Sequence, residues 1–207
     1  MGQIGIGGTP YDETRDVRLR RWMLFVDGEN FALRAKEFCE KNGITINAGS
    51  HYMENVFIWM PKRTATRRII DNKMLHIPLQ SDAIRAYYYA SVAGDDQKLT
   101  SVKENLWHIG FNPAVFKKTR QEDKAKGVDI ALSKDMLSHA YLGNYEVAVL
   151  IAGDGDYVPL IDEIKRLGKV VYVIFFEKNG LNNALRLASD GFYAIDDTFK
   201  QAWPNSR

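Results

Sequence analysis

The chain alternates short apolar segments with amphipathic segments almost from end to end, and this alternation limits the folds open to it. Apolar runs such as "RWMLFV" and "EVAVLIA" have the length and composition of buried strands. Segments between such runs, for example "DQKLTSVKENLWHIG", carry apolar residues at helical spacing. Strands that alternate with helices favour a mainly parallel sheet, so the sequence predicts an α/β sandwich with helices on both faces of the sheet.

The length of 207 residues favours one domain, which we place at residues 21–198. Residues 1–20 are predicted to be a flexible lead-in and residues 199–207 a C-terminal tail. The less regular segment at about residues 48–80 is interpreted as a basic insertion. The single cysteine, Cys39, cannot form an internal disulfide. No signal peptide or bilayer-spanning segment is visible, which predicts a cytoplasmic protein without a membrane partner.

Carboxylates follow two of the predicted strands at the points where the strands end. Asp27 comes directly after "MLFV", and Asp154 and Asp156 follow "VLIA". Asp129 lies in the first turn of a predicted helix. In open α/β sheets, ligands bind beyond the carboxyl ends of the strands, where the strand order reverses. If the first and fourth strands of the sheet are neighbours, we expect these acids to meet at one edge, with Asn30 beside them.

Four carboxylates in one crevice repel one another, because two charges about 4 Å apart interact by about 4 kcal/mol at an effective dielectric constant near 20. A bound Mg²⁺ or Mn²⁺ offsets this repulsion, and both ions prefer oxygen ligands. Such an ion polarises phosphate and activates water, so the pattern indicates metal-assisted phosphodiester hydrolysis. The structural alternative is that Asp27 and Asp156 cap helices and that Asp129 meets a helix dipole.

Three motifs together resemble the NYN domain family, specifically its LabA-like branch, which belongs to the PIN-like nucleases. They are "FVDGENF", "KGVDIALSKDML" and "IAGDGDYVPLIDEIKRLGKVVYVI". The resemblance covers about residues 20–197 and implies a three-layer, PIN-like α/β/α sandwich with a central, mainly parallel sheet. It also implies ribonuclease activity that depends on Mg²⁺ or Mn²⁺. The implied acidic site is Asp27, Asp129, Asp154 and Asp156, with Asn30 beside it.

Two features of this chain depart from the family pattern. Ala152 stands where many relatives carry serine, and the segment at about residues 48–80 is longer and more basic than in the minimal pattern. The basic side chains of Arg63, Arg67 and Arg68 are predicted to contact RNA phosphates, and the alternative is a solvated helix face. Lys126 is assigned to the same substrate, with structural pairing to an acid as its alternative.

The sequence therefore predicts an endoribonuclease that depends on Mg²⁺ or Mn²⁺ and acts on single-stranded RNA, in a chain that forms homodimers. One alternative is a non-catalytic module that binds RNA or protein, which Ala152 and the longer segment favour. A further alternative is a small-molecule phosphohydrolase that uses the same acids. Gly28 and Glu29 after Asp27 do not match a phosphoaspartate motif, which argues against that chemistry.

Overall fold

The structure is a computed structural model that describes residues 21–46, 49–61, 83–119 and 127–203. The strands in these ranges are β1 (Trp22–Asp27), β2 (Tyr52–Met53), β3 (Phe57–Ile58), β4 (Arg85–Ala93), β5 (Asn112–Lys118), β6 (Val147–Ile151), β7 (Val170–Phe175) and β8 (Gly191–Ala194). The α-helices are α1 (Gly28–Asn42), α2 (Asp96–His108), α3 (Val128–Tyr141), α4 (Val158–Arg166), α5 (Asn183–Ala188) and α6 (Asp196–Ala202). A short 3-10 helix, Gly155–Tyr157, precedes α4.

Six strands form one parallel sheet in the order β5-β4-β1-β6-β7-β8. The chain builds outward from β1 to β5 and then returns to place β6 on the other side of β1. Strand order therefore reverses between β1 and β6, which is where open α/β sheets bind ligands. The first and fourth strands of the sheet, β1 and β6, are neighbours, so the condition on which the expected meeting of the acids depends is met.

The central strands bury side chains on both faces of the sheet. In β1, Trp22, Leu24 and Val26 belong to one core, whereas Met23 and Phe25 belong to the other. Successive side chains in a strand point to opposite faces, which explains why β1 reads as one continuous apolar run. Helices α1, α2 and α6 contribute to the first core, and α3, α4 and α5 to the second. The predicted α/β/α sandwich is confirmed.

Helix α1 ends at a glycine. Gly43 adopts a left-handed conformation with φ 62°, and its N–H bonds to carbonyls of the last turn. Glycine adopts this conformation without a steric cost, so it ends the helix. The helix starts at Gly28, earlier than its apolar pattern shows, because the Asp27 side chain accepts a hydrogen bond from the backbone N–H of Asn30.

The part of the predicted insertion that the structure describes is packed into the protein. Residues 49–61 contain the antiparallel pair β2 and β3, and residues 56–60 are buried. The Trp59 ring lies against Phe31 of α1 and against Phe111. This stretch therefore belongs to the first core. Arg63, Arg67 and Arg68 of the basic segment lie outside the described residues, and so does Lys126.

The last helix extends the packed chain beyond the predicted boundary at residue 198. Phe199 and Trp203 are buried, and the Phe199 ring contacts Phe31, Phe38 and Phe176. The boundary therefore falls inside α6, and the packed region continues to Trp203. Trp203 directly follows α6, and its ring lies 6.4 Å from that of Phe199.

None of the helices in the described ranges is both long enough and apolar enough to cross a membrane.

We expect Phe199→Ala to lower the free energy of unfolding by about 3–5 kcal/mol, because it empties a buried aromatic site. Lys200→Ala, at an exposed position of the same helix, is the matched control and should change stability by less than about 0.5 kcal/mol. Urea denaturation of both variants measures the difference. Equal effects of the two substitutions would show that α6 does not unfold with the rest of the domain.

Candidate acidic site at the carboxyl edge of the sheet

Asp27 is the centre of the site and the only charged residue among the buried residues of the described ranges. Asp27 is the last residue of β1, and each of its two carboxyl oxygens has a hydrogen-bond contact. Asp27 Oδ1 accepts a hydrogen bond from the Asn30 backbone N–H at 3.1 Å, and Oδ2 lies 3.0 Å from the Tyr157 hydroxyl. Asp27 is thus the N-cap of α1, which agrees with the alternative that it caps a helix. Its second oxygen, however, contacts Tyr157, which lies 130 residues away in the sequence.

The Tyr157 hydroxyl joins Asp27 to a second carboxylate. The same hydroxyl oxygen lies 3.1 Å from Asp129 Oδ1, in the first turn of α3. Asp27 Oδ2 and Asp129 Oδ1 therefore contact the same hydroxyl oxygen, at 3.0 Å and 3.1 Å. The structure brings Asp27 and Asp129 together at the carboxyl edge of the sheet. Tyr157, which sequence reasoning missed, holds them there.

Burial raises the pKa of Asp27 from its ordinary value of 3.8 to about 7. The hydrogen bonds from the Asn30 N–H and the Tyr157 hydroxyl lower this pKa, while the charges of Asp129 and Glu29 raise it. Burial raises the pKa of Tyr157, and the neighbouring Asp27 and Asp129 raise it further. A hydroxyl donates only one proton. The single Tyr157 proton can therefore be donated to only one of the two carboxylates at a time, although both distances are within hydrogen-bond range.

Glu29 is a further acid at this edge, and sequence reasoning did not assign it a role. The charge of Glu29 raises the pKa of Asp27, and the charge of Asp129 raises the pKa of Glu29. Glu29 Oε1 accepts a hydrogen bond from Ser91 Oγ of β4, and Lys118 Nζ of β5 lies 3.4 Å away. An acid in the first turn of a helix is ordinary, so the sequence gives no reason to single it out. The available signal is Ser91, a polar residue inside a buried strand.

Asp154 and Asp156 lie on the same edge of the sheet, because they follow β6, but both are exposed. Asp154 Oδ1 accepts a hydrogen bond from the Asp156 backbone N–H at 3.1 Å and caps the short 3-10 helix. The cap is therefore Asp154, and not Asp156 as the structural alternative proposed. Among the described residues, no three Asp, Glu, His or Cys side chains are arranged to hold a metal ion. The four aspartates do not form one closed cage in this conformation.

Asn30 joins the beginning of α1 to the loop that follows β6. Its Oδ1 accepts a hydrogen bond from the Gly153 backbone N–H at 3.0 Å. Gly153 has no room for a side chain, since an added Cβ would lie 2.3 Å from the Phe175 ring. A Cβ added at Gly155 would lie 2.5 Å from the Asn182 side chain. The bond to Asn30 holds the loop that carries Asp154 near the end of β1, and the two glycines let that loop pack against Phe175 and Asn182.

The three consecutive tyrosines of β4 make contacts within the protein. Tyr88 and Tyr89 are fully buried, and the Tyr89 hydroxyl donates to Asp135 Oδ2 at 3.2 Å. The Tyr87 hydroxyl lies 3.2 Å from His139 Nε2. Ala152 is also fully buried in the second core, so its methyl group packs against protein. The serine hydroxyl of relatives, placed here, would lie in the core.

The donor set at Asp27 and Asp129 fits a hard divalent ion. Mg²⁺ is commonly held by one or two carboxylates, while waters and substrate phosphates complete its coordination. In the described part of the chain, the groups that contact the Asp27 carboxylate are a neutral N–H and a neutral hydroxyl. Burial is the main cause of its raised pKa, and the charges among the described residues that act on it, Asp129 and Glu29, are negative and raise the pKa further. Both aspartates therefore have the ligand chemistry of a Mg²⁺ or Mn²⁺ site.

A parallel sheet with helices on both faces and an acidic site at its switch point defines a PIN-like α/β protein. The sequence model of the NYN domain matches residues 21–196. The chain belongs to the NYN domain family, which is a family of PIN-like nucleases.

The fold also resembles a solved structure. A protein of unknown function from Vibrio parahaemolyticus RIMD 2210633 superposes with a TM-score of 0.57 at 22% identity. The alignment covers 87% of this chain and 95% of that one. At this identity the likeness concerns the fold alone. No significant match to a curated protein was found.

We expect Asp27→Asn to remove a pH dependence of stability. The folded state holds the Asp27 proton more tightly than the unfolded chain, so the stability that this group contributes is lost as pH rises from about 4 to about 7. The loss approaches roughly 4 kcal/mol above that window. Urea denaturation in EDTA from pH 4 to 8 should show the variant gaining stability over wild type as pH rises. Parallel curves for the two proteins would contradict the buried, protonated Asp27.

Proposed function

We propose that the protein is an endoribonuclease of the LabA-like branch of the NYN family, which uses Mg²⁺ or Mn²⁺ to hydrolyse single-stranded RNA. The observation that carries this proposal is the buried Asp27 carboxylate at the switch point of the sheet. It shares a hydroxyl with Asp129 and lacks a cationic partner among the described residues. A nuclease family and a carboxylate pair suited to a divalent ion together favour phosphodiester hydrolysis.

Each residue of the site has a distinct role in this proposal. Asp27 and Asp129 hold the ion, which when bound polarises the phosphate and lowers the pKa of the attacking water. Tyr157 keeps the two carboxylates within reach of one another. Asn30 holds the loop after β6 against α1. Asp154 and Asp156, exposed on the same edge, are assigned contacts through water.

Several parts of the proposal rest on the sequence. Arg63, Arg67, Arg68 and Lys126 are assigned to RNA phosphates by their charge and by their positions along the chain. The homodimer and the cytoplasmic location are likewise predictions.

A non-catalytic module that binds RNA or protein is the second candidate. The observation that favours it is the exposure of Asp154 and Asp156, which leaves the four aspartates without a closed arrangement. Mg²⁺ sites often use few protein ligands, so this observation does not contradict catalysis. Cleavage of RNA separates the two candidates.

We expect wild-type protein to cut a fluorescently labelled single-stranded RNA in Mn²⁺ or Mg²⁺ and to stop in EDTA. Asp27→Asn should reduce cleavage to the EDTA level, because it removes the ligand charge while keeping the side chain's shape. Asp162→Asn, at an exposed position of α4, is the matched control and should cut like wild type. Gel electrophoresis measures the products, and circular dichroism verifies the fold of each variant.

Full cleavage by Asp27→Asn would end the catalytic proposal. Binding of RNA by wild type without any cleavage in either metal would support the non-catalytic module. Turnover of a free nucleotide without cleavage of the oligonucleotide would indicate a small-molecule phosphohydrolase.

A further inference from the structure

Lys118 is a nearly buried lysine at the carboxyl end of β5. Its side chain is 11% exposed, whereas that of the neighbouring Lys117 is 50% exposed. Lysine is rarely buried without a partner, because removing its charge from water is costly. Successive strand residues point to opposite sides, so Lys117 reaches Asp96 at 2.7 Å while Lys118 turns towards Glu29.

The contact between Lys118 and Glu29 is loose. Lys118 Nζ lies 3.4 Å from Glu29 Oε1, beyond the usual range for a charge-assisted hydrogen bond. Ser91 Oγ donates to the same oxygen, so Ser91 also holds Glu29 in place. Among the described residues, Glu29 is the hydrogen-bond and ion-pair partner of Lys118. An ammonium group has three donors, and one contact to Glu29 leaves donors for another acceptor.

Lys118 stands at one end of the acidic site. Its strand, β5, is separated from β1 by β4, and Glu29 spans that distance from the first turn of α1. Glu29 interacts electrostatically with Asp129, which shares the Tyr157 hydroxyl with Asp27. A series of interacting side chains, with Asp27 buried, Asp129 exposed and Glu29 half-buried, thus leads from the candidate metal ligands to one positive charge.

An RNA substrate carries phosphates on both sides of the bond that is cut, and a lysine that contacts one of them adds affinity and offsets its repulsion by the carboxylates of the site. We propose that Lys118 is a substrate-binding residue whose ammonium, positioned by Glu29 and Ser91, binds the RNA phosphate that flanks the scissile bond on the β5 side. This proposal rests on RNA being the substrate. The competing explanation is that Lys118 only offsets the charge of Glu29.

Fluorescence anisotropy of a labelled single-stranded RNA in EDTA tests the proposal without cleavage. The affinity is measured over a range of KCl concentrations for wild type, Lys118→Met, Lys118→Arg and Lys169→Met. Lys169 directly precedes β7 and therefore lies at the opposite edge of the sheet, which makes it the matched control. Losing one phosphate contact should reduce the slope of log K against log [salt] by about 0.7.

We expect Lys118→Met to bind RNA more weakly and with the smaller slope, and Lys118→Arg and Lys169→Met to keep the wild-type slope. The double variant Glu29→Gln with Lys118→Met should keep the smaller slope. This double variant also serves if Lys118→Met does not fold, because it removes both charges together. Thermal unfolding of each variant verifies that the fold is retained.

A wild-type slope in Lys118→Met, with stability lost and then restored in the double variant, would overturn the proposal and leave Lys118 as a counter-charge. Equal slope changes in Lys118→Met and Lys169→Met would also overturn it. Wild type that does not bind RNA at any salt concentration would overturn the RNA substrate together with the role of Lys118. Binding that depends on Lys118, in a protein that does not cut, would support the role of Lys118 and contradict the nuclease proposal.

Discussion

The removal of the Asp27 carboxylate from water is the constraint on which the site depends. A buried carboxylate is costly unless charge or hydrogen bonds compensate it, and in the part of the chain that the structure describes, the donors to Asp27 are two neutral groups, the Asn30 N–H and the Tyr157 hydroxyl. Its pKa therefore rises to about 7, which means that the folded protein favours a proton or a cation at this point. Such a residue does not help stability at neutral pH. Under the proposed function, the same carboxylate caps α1 and is a ligand of the divalent ion.

The topology of the sheet explains why these groups meet. The chain places β6 beside β1 after it has built β4 and β5 on the other side, and the helices that follow β1 and β6, α1 and α4, pack into different cores. Such a switch point is where open α/β sheets bind ligands. Tyr157 comes from the loop after β6 and reaches back to the end of β1. Asn30 ties the two loops together from the side of α1. The site is thus a consequence of strand order, fixed in detail by a few side chains.

The fold and the location of the site could be predicted from the sequence because both depend on local patterns. The alternation of apolar runs with amphipathic segments predicted the parallel sheet, and the acids after the runs predicted the edge at which Asp27 and Asp129 meet. The neighbouring positions of β1 and β6 were a condition of that prediction, and the structure meets it. Tyr157 and Glu29 were missed because their roles depend on partners far away in the chain. Lys118, for example, reaches Glu29 across 89 residues of sequence. Asp154 was assigned a metal-binding role, but it also has a local use, because it caps the turn that follows β6.

The most direct test of the account is an anomalous difference map from crystals grown with Mn²⁺ above pH 7, where Asp27 is ionised. We predict a Mn²⁺ peak bonded to a carboxylate oxygen of Asp27 and to one of Asp129. The account would be contradicted by a map that shows Mn²⁺ at high occupancy elsewhere in the crystal, no peak at Asp27 and Asp129, and the Tyr157 hydroxyl still between the two aspartates.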